Sequence, residues 1–180
     1  MIDPILSVAP ALVLACVFLA AGMHKWRDLR QFETTLDAYR LLPGWLAHPA
    51  ALVLPLAESV IALGLLLPVA RSAAASAGAV LLGIYTLAIG VNLARGRRSI
   101  DCGCGNPGRD QSLTEWLLLR NGALIGLAVL AATPAVNRAM GWLDWLVALL
   151  AATTLVLLHS ACNQLLANRD RLANLRPAHG

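Results

Sequence analysis

Charged residues are scarce in this chain, and their scarcity excludes an ordinary soluble domain. Only 13% of the 180 residues are charged, whereas 58% are hydrophobic. A soluble globular domain carries about 25% charged residues, enough to cover a surface that faces water. The alternating pattern of barrel strands is also absent, and a lipid bilayer accepts only helices or closed barrels as spanning structures. The sequence therefore predicts an all-α integral membrane protein.

Basic residues are missing ahead of the first apolar run, where a cleavable signal peptide would carry them. The first four residues include no Lys or Arg, and Lys25, Arg27 and Arg30 follow the run instead. We therefore interpret the first run as an uncleaved helix that remains in the protein.

Long runs with few charges dominate the rest of the chain. An apolar run of about 18 or more residues is long enough to cross a bilayer as a helix. Five segments meet this requirement: residues 5–23, 49–70, 72–94, 113–132 and 142–166. They predict a bundle of about five transmembrane helices that forms a single domain over residues 1–180.

Basic residues cluster in alternate connections between these segments. Residues 24–48, residues 95–112 and the C-terminal tail are rich in Lys and Arg, whereas the two other connections contain only Arg71 and Arg138. This positive-inside pattern predicts a multi-pass membrane protein with its N-terminus outside and its C-terminus in the cytoplasm. The same distribution argues against nucleic acid as the reason for the net charge of +4.

Two polar connections interrupt the apolar pattern. Residues 24–48 contain Leu29, Phe32, Leu36 and Tyr39 at helical spacing, which predicts a short amphipathic helix on the membrane surface. Residues 95–112 form a loop that the charge pattern assigns to the cytoplasmic side. The small residues of the third and fourth apolar segments, among them Gly122-x-x-x-Gly126, predict closely packed helices.

Cys102 and Cys104 are the residues with the clearest chemical potential, because two thiols separated by one glycine can interconvert between dithiol and disulfide. Arg97, Arg98 and Arg109 are near them in sequence, and nearby positive charge lowers the pKa of a thiol and so favours the reactive thiolate. A disulfide across one residue is strained, and strained disulfides are typically labile or catalytic. We therefore predict that Cys102 and Cys104 are the catalytic residues of a thiol–disulfide exchange reaction.

Other functions of the cysteines stay open at the level of sequence. Cys102 and Cys104 are alternatively two inert loop thiols, or a metal site completed by His24 or His48, although neither histidine has ligand spacing. Cys16 and Cys162 lie within predicted helices, as small apolar fillers or as an electron relay to the loop. No metal and no cofactor is predicted, although a quinone-linked oxidase is a variant of the redox hypothesis.

Glu58 is the costliest residue to place in a membrane, because it lies well inside a spanning segment. A carboxylate there costs on the order of 2.5–3.5 kcal/mol on insertion scales and normally faces a partner in the bundle interior. Lys25 and Arg120 are the expected partners, and Pro55 one turn earlier loosens the helix. A structural ion pair and a proton-handling site are both consistent with this pattern.

Several short motifs together resemble the methylamine utilisation protein MauE family, within the broader group of DoxX-like membrane proteins. The resemblance covers roughly residues 5–160. Its motifs are Ala21-Gly22-Met23-His24-Lys25, Leu42-Pro43, Glu58, Asp101-Cys102-Gly103-Cys104-Gly105 and Leu119-Arg120-Asn121. It implies a four-helix DoxX-like core followed by a C-terminal helix.

The resemblance also implies a function. MauE-like proteins are associated with maturation of methylamine dehydrogenase, a periplasmic enzyme whose small subunit needs many disulfides, and they commonly work beside a thioredoxin-like protein. The expected partners are therefore a thioredoxin-like protein, an exported client enzyme, or both. Cytoplasmic thiols fit such a role if the protein passes reducing equivalents across the membrane. The alternative is a non-catalytic scaffold or transporter accessory in which the cysteine loop is structural.

Overall fold

The computed structural model of this protein describes residues 2–96, 115–136 and 138–174, with the backbone alone from residue 166 onwards. Within these ranges the chain forms six α-helices. They are α1 (Pro4–Arg27), α2 (Leu29–Tyr39), α3 (Gly44–Leu66), α4 (Arg71–Ala94), α5 (Glu115–Ala132) and α6 (Trp142–Asn174). All except α2 are long and apolar enough to cross a membrane, which confirms the predicted class and the number of spanning segments.

Several helices extend beyond the apolar runs that predicted them. The first run was expected to end at residue 23, but α1 continues to Arg27, and α3 begins at Gly44 rather than at residue 49. Apolar length reports the thickness of the hydrocarbon, whereas backbone hydrogen bonding continues into the polar interface. The extra turn of α1 is the one that contains Lys25.

Four helices, α1, α3, α4 and α5, surround the main apolar core. Leu14 and Phe18 of α1 pack there with Leu65 of α3, Leu82 of α4 and Leu124 of α5. The C-terminal helix α6 lies outside this core and packs on α1. The structure thus has the predicted arrangement of a four-helix core with an added C-terminal helix.

Helix order places the helix termini at two ends of the bundle. Ser72 at the start of α4 donates a hydrogen bond to the carbonyl of Ala132 at the end of α5 (3.0 Å). At the opposite end Ile89 of α4 packs with Leu117 of α5. We call the end that contains residues 2–4, 66–71 and 132–142 the N-terminal end. The other, which contains residues 24–46, 92–96 and 115–121, is the loop end.

The helix α2 has the predicted amphipathic pattern and packs on the bundle at the loop end. Phe32 and Tyr39 are buried, and the helix packs against α3, where Glu33 pairs with His48 (3.2 Å). Phe32 and Tyr39 therefore contact protein, and the position of α2 on the membrane surface stays a prediction.

Close helix packing occurs at some of the predicted small residues and not at others. A Cβ atom on Gly64 of α3 would lie 2.8 Å from the Cβ of Ala74 on α4, so these helices touch at their backbones. In contrast, no atom lies within 4 Å of the Cβ positions of Gly122 and Gly126. Tight packing at this pair was therefore a wrong prediction. The buried stripe of α5 contains Leu117, Leu124 and Ala128 and leaves both glycines off its face.

Candidate functional site

A buried ion pair joins α1 to α3 near the loop end. The Lys25 ammonium donates a hydrogen bond to Oε1 of Glu58, and the two residues are 4% and 0% exposed. The hydroxyl of Tyr85 on α4 donates to the same carboxylate oxygen (2.8 Å). Because a membrane interior has no water to solvate a carboxylate, these donors provide the stabilisation that Glu58 requires. Three helices are thus linked through a single carboxylate.

Two aromatic rings enclose the ammonium group. The Nζ atom of Lys25 lies 5.2 Å from the ring centroid of Phe32 and 5.1 Å from that of Tyr85. At these distances the electron-rich face of an aromatic ring attracts a cation. The amphipathic helix α2 is therefore connected to the ion pair through Phe32.

Gly22 permits the close approach of α1 and α3 that brings the ion pair together. A Cβ atom at Gly22 would lie 3.3 Å from Oγ of Ser59 and 3.4 Å from the carbonyl oxygen of Pro55. Trp26 donates from Nε1 to Oγ of Ser59 (3.3 Å), and that hydroxyl donates to the Pro55 carbonyl (2.8 Å). Helix α3 continues without a break through Pro55, so the expected loosening of the helix is not seen.

A polar cavity of about 200 Å³ adjoins the ion pair inside the bundle. Its polar lining residues are Cys16, His24, Lys25, Glu58, Tyr85, Arg120, Asn121, His159, Ser160 and Asn163. Arg120 donates to the side-chain oxygens of Asn121 and Asn163 (both 3.3 Å), and Asn163 contacts His159 (3.1 Å). Such a cavity can hold water or a small polar group, and its side chains can exchange protons.

A second pocket, of about 330 Å³, lies between α2, α3 and α4. Its lining is almost entirely apolar, and it shares Lys25 and Tyr85 with the polar cavity. We call it the α2 pocket. Its lining residues are Lys25, Phe32, Thr35, Leu36, Tyr39, Leu41, Leu42, Ala50, Val53, Leu54, Ile84, Tyr85, Ala88 and Ile89. Lys25 and Tyr85 therefore separate a polar space from an apolar one.

Arg120 does not bind Glu58 although it lines the same cavity. Of the two expected partners, Lys25 makes the ion pair, and Arg120 is held by two asparagine side chains. Its Nε atom is buried and has no hydrogen-bond partner among the described residues. Arg120 thus contributes positive charge and a donor to the cavity wall.

The four cysteines fall into two groups. Cys102 and Cys104 lie outside the described residues. Cys16 and Cys162 are free thiols, with Cys16 exposed and Cys162 half-buried. Neither is the fully buried apolar filler that is typical of cysteines in helices, and Cys16 lines the polar cavity.

No metal site is seen in the part of the chain that the structure describes, since no three His, Cys, Asp or Glu side chains gather there. His48 pairs with Glu33 at the surface (3.2 Å), and His24 lines the polar cavity.

Tyr85 and Phe32 contact the Lys25–Glu58 pair, and neither contact was predicted from the sequence. The chain has only two tyrosines, and Tyr85 lies in the middle of an apolar span. A tyrosine hydroxyl in such a position needs a hydrogen-bond partner. That signal, combined with the unusual Glu58, was available in the sequence.

The chain is similar to known proteins of methylamine utilisation. The family model described as methylamine utilisation protein MauE matches residues 3–134. The methylamine utilisation protein MauE of Paracoccus versutus is 37% identical over 91% of this chain and 88% of its own length. That of Methylophilus methylotrophus is 36% identical over 89% and 86%, and that of Paracoccus denitrificans 39% over 74% and 72%. No solved structure matches the chain.

Proposed function

The chain belongs to the methylamine utilisation protein MauE family, and on this premise we propose that this accessory membrane protein of methylamine utilisation matures an exported enzyme by thiol–disulfide exchange. Cys102 and Cys104 are the proposed reacting residues. A thioredoxin-like protein or the client enzyme itself is the proposed partner. The proposed location is the bacterial inner membrane, with the thiol loop on the cytoplasmic side as the charge pattern predicts.

Atoms and electrons balance in the proposed exchange. The thiolate of one cysteine attacks a disulfide of the partner, one partner sulfur leaves as a thiolate, and a mixed disulfide forms. The second cysteine then attacks the mixed disulfide and releases the partner as a dithiol. The partner gains two electrons, and the Cys102–Cys104 pair becomes a disulfide. The reverse sequence oxidises the partner.

The observation that most supports this proposal is that α4 ends and α5 begins at the end of the bundle that contains the polar cavity. Helix α4 ends at Ala94 and α5 begins at Glu115, and both termini are at the loop end. The connection between them contains both thiols in its sequence. The same end contains Lys25, His24 and Arg120, which line the polar cavity. Cationic and proton-exchanging groups at this end suit chemistry that consumes and releases thiolates.

Four of the remaining candidate residues have accessory roles in the proposal. Lys25, Glu58 and Arg120 keep the cavity polar and support proton movement as thiols are made and consumed. Cys16 is the better placed of the two helical cysteines for a relay, because it lines this cavity.

A redox trap tests the proposal directly. Cys104→Ser should accumulate a mixed disulfide between Cys102 and its partner, visible as a reducible band and identified by mass spectrometry. Cys162→Ser is the matched control, since it removes a thiol from a helix and should leave both exchange and enzyme maturation intact. Complete maturation of the client by the double variant Cys102→Ser/Cys104→Ser would refute thiol exchange.

The side of the membrane on which the thiols react needs a separate measurement. A membrane-impermeant maleimide should label Cys102 in inverted vesicles and not in intact cells. Labelling from the periplasmic side alone would exclude the transfer of reducing equivalents from a cytoplasmic donor.

A scaffold is the second candidate function, and one observation favours it. Gly122 and Gly126 face open space on α5, and small residues of this kind allow another transmembrane helix to approach closely. Gly122→Leu/Gly126→Leu would abolish partner recruitment if this face binds one, without changing the redox state of the thiols.

A further inference from the structure

We propose that the α2 pocket binds the head group of a membrane quinone and that Lys25 donates a hydrogen bond to one of its carbonyl oxygens. The inference rests on the proposed function in the direction in which the Cys102–Cys104 disulfide oxidises the partner, and it deepens that function by naming the electron acceptor that re-oxidises the resulting thiol pair. Four properties of the pocket support the presence of a quinone: its size and opening, its hydrogen-bond donor, its charge balance and its aromatic lining.

The α2 pocket is large enough for a substituted ring and is reached from the lipid. Its volume of about 330 Å³ lies at the lower end of the range of about 300–1,000 Å³ typical of small-molecule sites. Val53 and Ile84 line it and are 59% and 53% exposed on spanning helices. A molecule dissolved in the bilayer can therefore enter sideways between α3 and α4.

Lys25 supplies the polar contact in an otherwise apolar space. An ammonium group has three N–H donors, and the hydrogen bond to Glu58 uses one of them. The group lies beneath the rings of Phe32 and Tyr85 at the boundary of the pocket. A ligand with one acceptor oxygen and an apolar body satisfies both the donor and the lining.

The charge balance selects a neutral ligand over an anionic lipid. Lys25 and Glu58 together carry no net charge, and they are buried as a pair. An added carboxylate or phosphate would bring a further negative charge into a medium that solvates it poorly, in a pocket whose cationic lining residue, Lys25, is already paired with Glu58. A carbonyl oxygen brings no charge, so it accepts from Lys25 without this penalty.

Aromatic side chains favour a flat ring. Phe32, Tyr39 and Tyr85 all line the α2 pocket, although the whole chain has only two Phe and two Tyr. Aromatic rings stack with planar conjugated groups in offset or edge-to-face geometry. Among neutral membrane-soluble molecules with a carbonyl oxygen, a quinone combines such a ring with the capacity to accept electrons.

Electrons and protons balance when a quinone accepts them from the thiol pair. Oxidation of the Cys102 and Cys104 thiols breaks two S–H bonds, forms one S–S bond and releases two electrons and two protons. The quinone takes up both electrons and both protons and leaves as the quinol. Helix α4 lines the pocket at Ile89 and ends five residues later at Ala94, about 7.5 Å further along its axis. The connection whose sequence contains both thiols follows that end. Protons can reach the quinone through Tyr85 and Lys25, which also line the polar cavity.

A matched pair of valine variants tests the inference. Val53 and Val60 are both on α3 and are 59% and 61% exposed, but only Val53 lines the α2 pocket. The full-length protein in lipid nanodiscs is titrated with a benzoquinone that carries one isoprenoid unit. Val53→Trp should weaken saturable binding at least about tenfold by filling the pocket, and Val60→Trp should bind like the unmodified protein.

A second readout separates this inference from the proposed function. Oxidation of Cys102 and Cys104 is followed with either the quinone or oxidised glutathione as acceptor. Val53→Trp should lose oxidation by quinone and keep oxidation by glutathione disulfide. Absence of saturable quinone binding, equal binding by both variants, or displacement of the probe by phospholipid would overturn the quinone site. Thiols inert to both acceptors would instead contradict the proposed function.

Discussion

The two ends of the bundle each hold a cluster of opposite charges, one of them buried and the other exposed. Near the loop end, the side chains of Lys25 and Glu58 are 3% and 0% exposed. At the N-terminal end, Arg138 binds both Asp3 (3.1 Å) and Asp144 (2.6 Å), and its side chain is 40% exposed. Ion pairs between a basic residue and a carboxylate therefore occur both in a buried site of low dielectric constant and in an exposed site.

The exposed cluster has a structural explanation, because it joins the start of α1 to the first turn of α6. Asp3 caps α1 by accepting a hydrogen bond from the Ile5 amide (2.9 Å), Asp144 lies in the first turn of α6, and Arg138 bridges the two. The hydrogen bonds to Asp144 and to Asp3 raise the pKa of the Arg138 guanidinium above its ordinary value, so it stays charged at any physiological pH. Exposed pairs of this kind contribute little to stability.

The buried cluster cannot be explained in the same way. The attraction within a buried ion pair offsets only part of the free energy lost when both charges leave water. A protein in which apolar residues of similar volume replace such a pair is often as stable or more stable. Its position between the polar cavity and the α2 pocket suggests that Lys25 and Glu58 serve function rather than stability.

Loss of one partner of the buried pair should have the largest effect. Glu58→Ala leaves the Lys25 ammonium buried without its carboxylate, which we expect to lower the free energy of unfolding by about 3–5 kcal/mol. Thermal and denaturant unfolding of the purified protein in detergent micelles or nanodiscs measures the change.

The double variant Lys25→Met/Glu58→Leu is the control for that loss. It replaces both charges with apolar side chains of similar size, so most of the stability should return while quinone binding and maturation of the client stay impaired. A double variant as unstable as Glu58→Ala would show that packing around residue 58, rather than an uncompensated charge, causes the loss.

Removal of one hydroxyl from the cluster should have an intermediate effect. Tyr85→Phe deletes the donor to Oε1 of Glu58 and keeps the ring near Lys25. A hydrogen bond to a charged group contributes about 1.5–3 kcal/mol, and the unfolding free energy should fall by that amount. In a cycle with Glu58→Gln the two changes should couple. Strict additivity would contradict a shared hydrogen bond.

Sequence reasoning succeeds where a feature depends on local pattern. Five apolar runs predicted five spanning helices, and the cost of Glu58 in a bilayer pointed to a basic partner such as Lys25. The hydroxyl of Tyr85 and the ring of Phe32 were not predicted as members of the cluster. They reach the Lys25–Glu58 pair from α4 and α2, and the relative rotation of helices is set by packing that no single segment encodes.

The glycines of α5 show the converse case, in which a local pattern predicted close packing that does not occur. Gly122-x-x-x-Gly126 is a local pattern that permits close packing, but it does not specify which helix approaches. In this chain the buried stripe of α5 is set by Leu117, Leu124 and Ala128, so the glycines are left open. The reactivity of Cys102 and Cys104 remains a prediction, because those residues are outside the described ranges.

Loss of the exposed cluster should have the smallest effect, and this completes the comparison between the two ends. Arg138→Ala removes both ion pairs, but Asp3 and Asp144 stay solvated by water, so the unfolding midpoint should change little and less at high salt than at low salt, because salt screens exposed charges. In a double-mutant cycle with Asp144→Asn the coupling should be well below that of Tyr85 and Glu58. A loss as large as that of Glu58→Ala would mean that α6 depends on Arg138 to stay docked on α1. The difference between the two ends would then lie in helix attachment and not in burial.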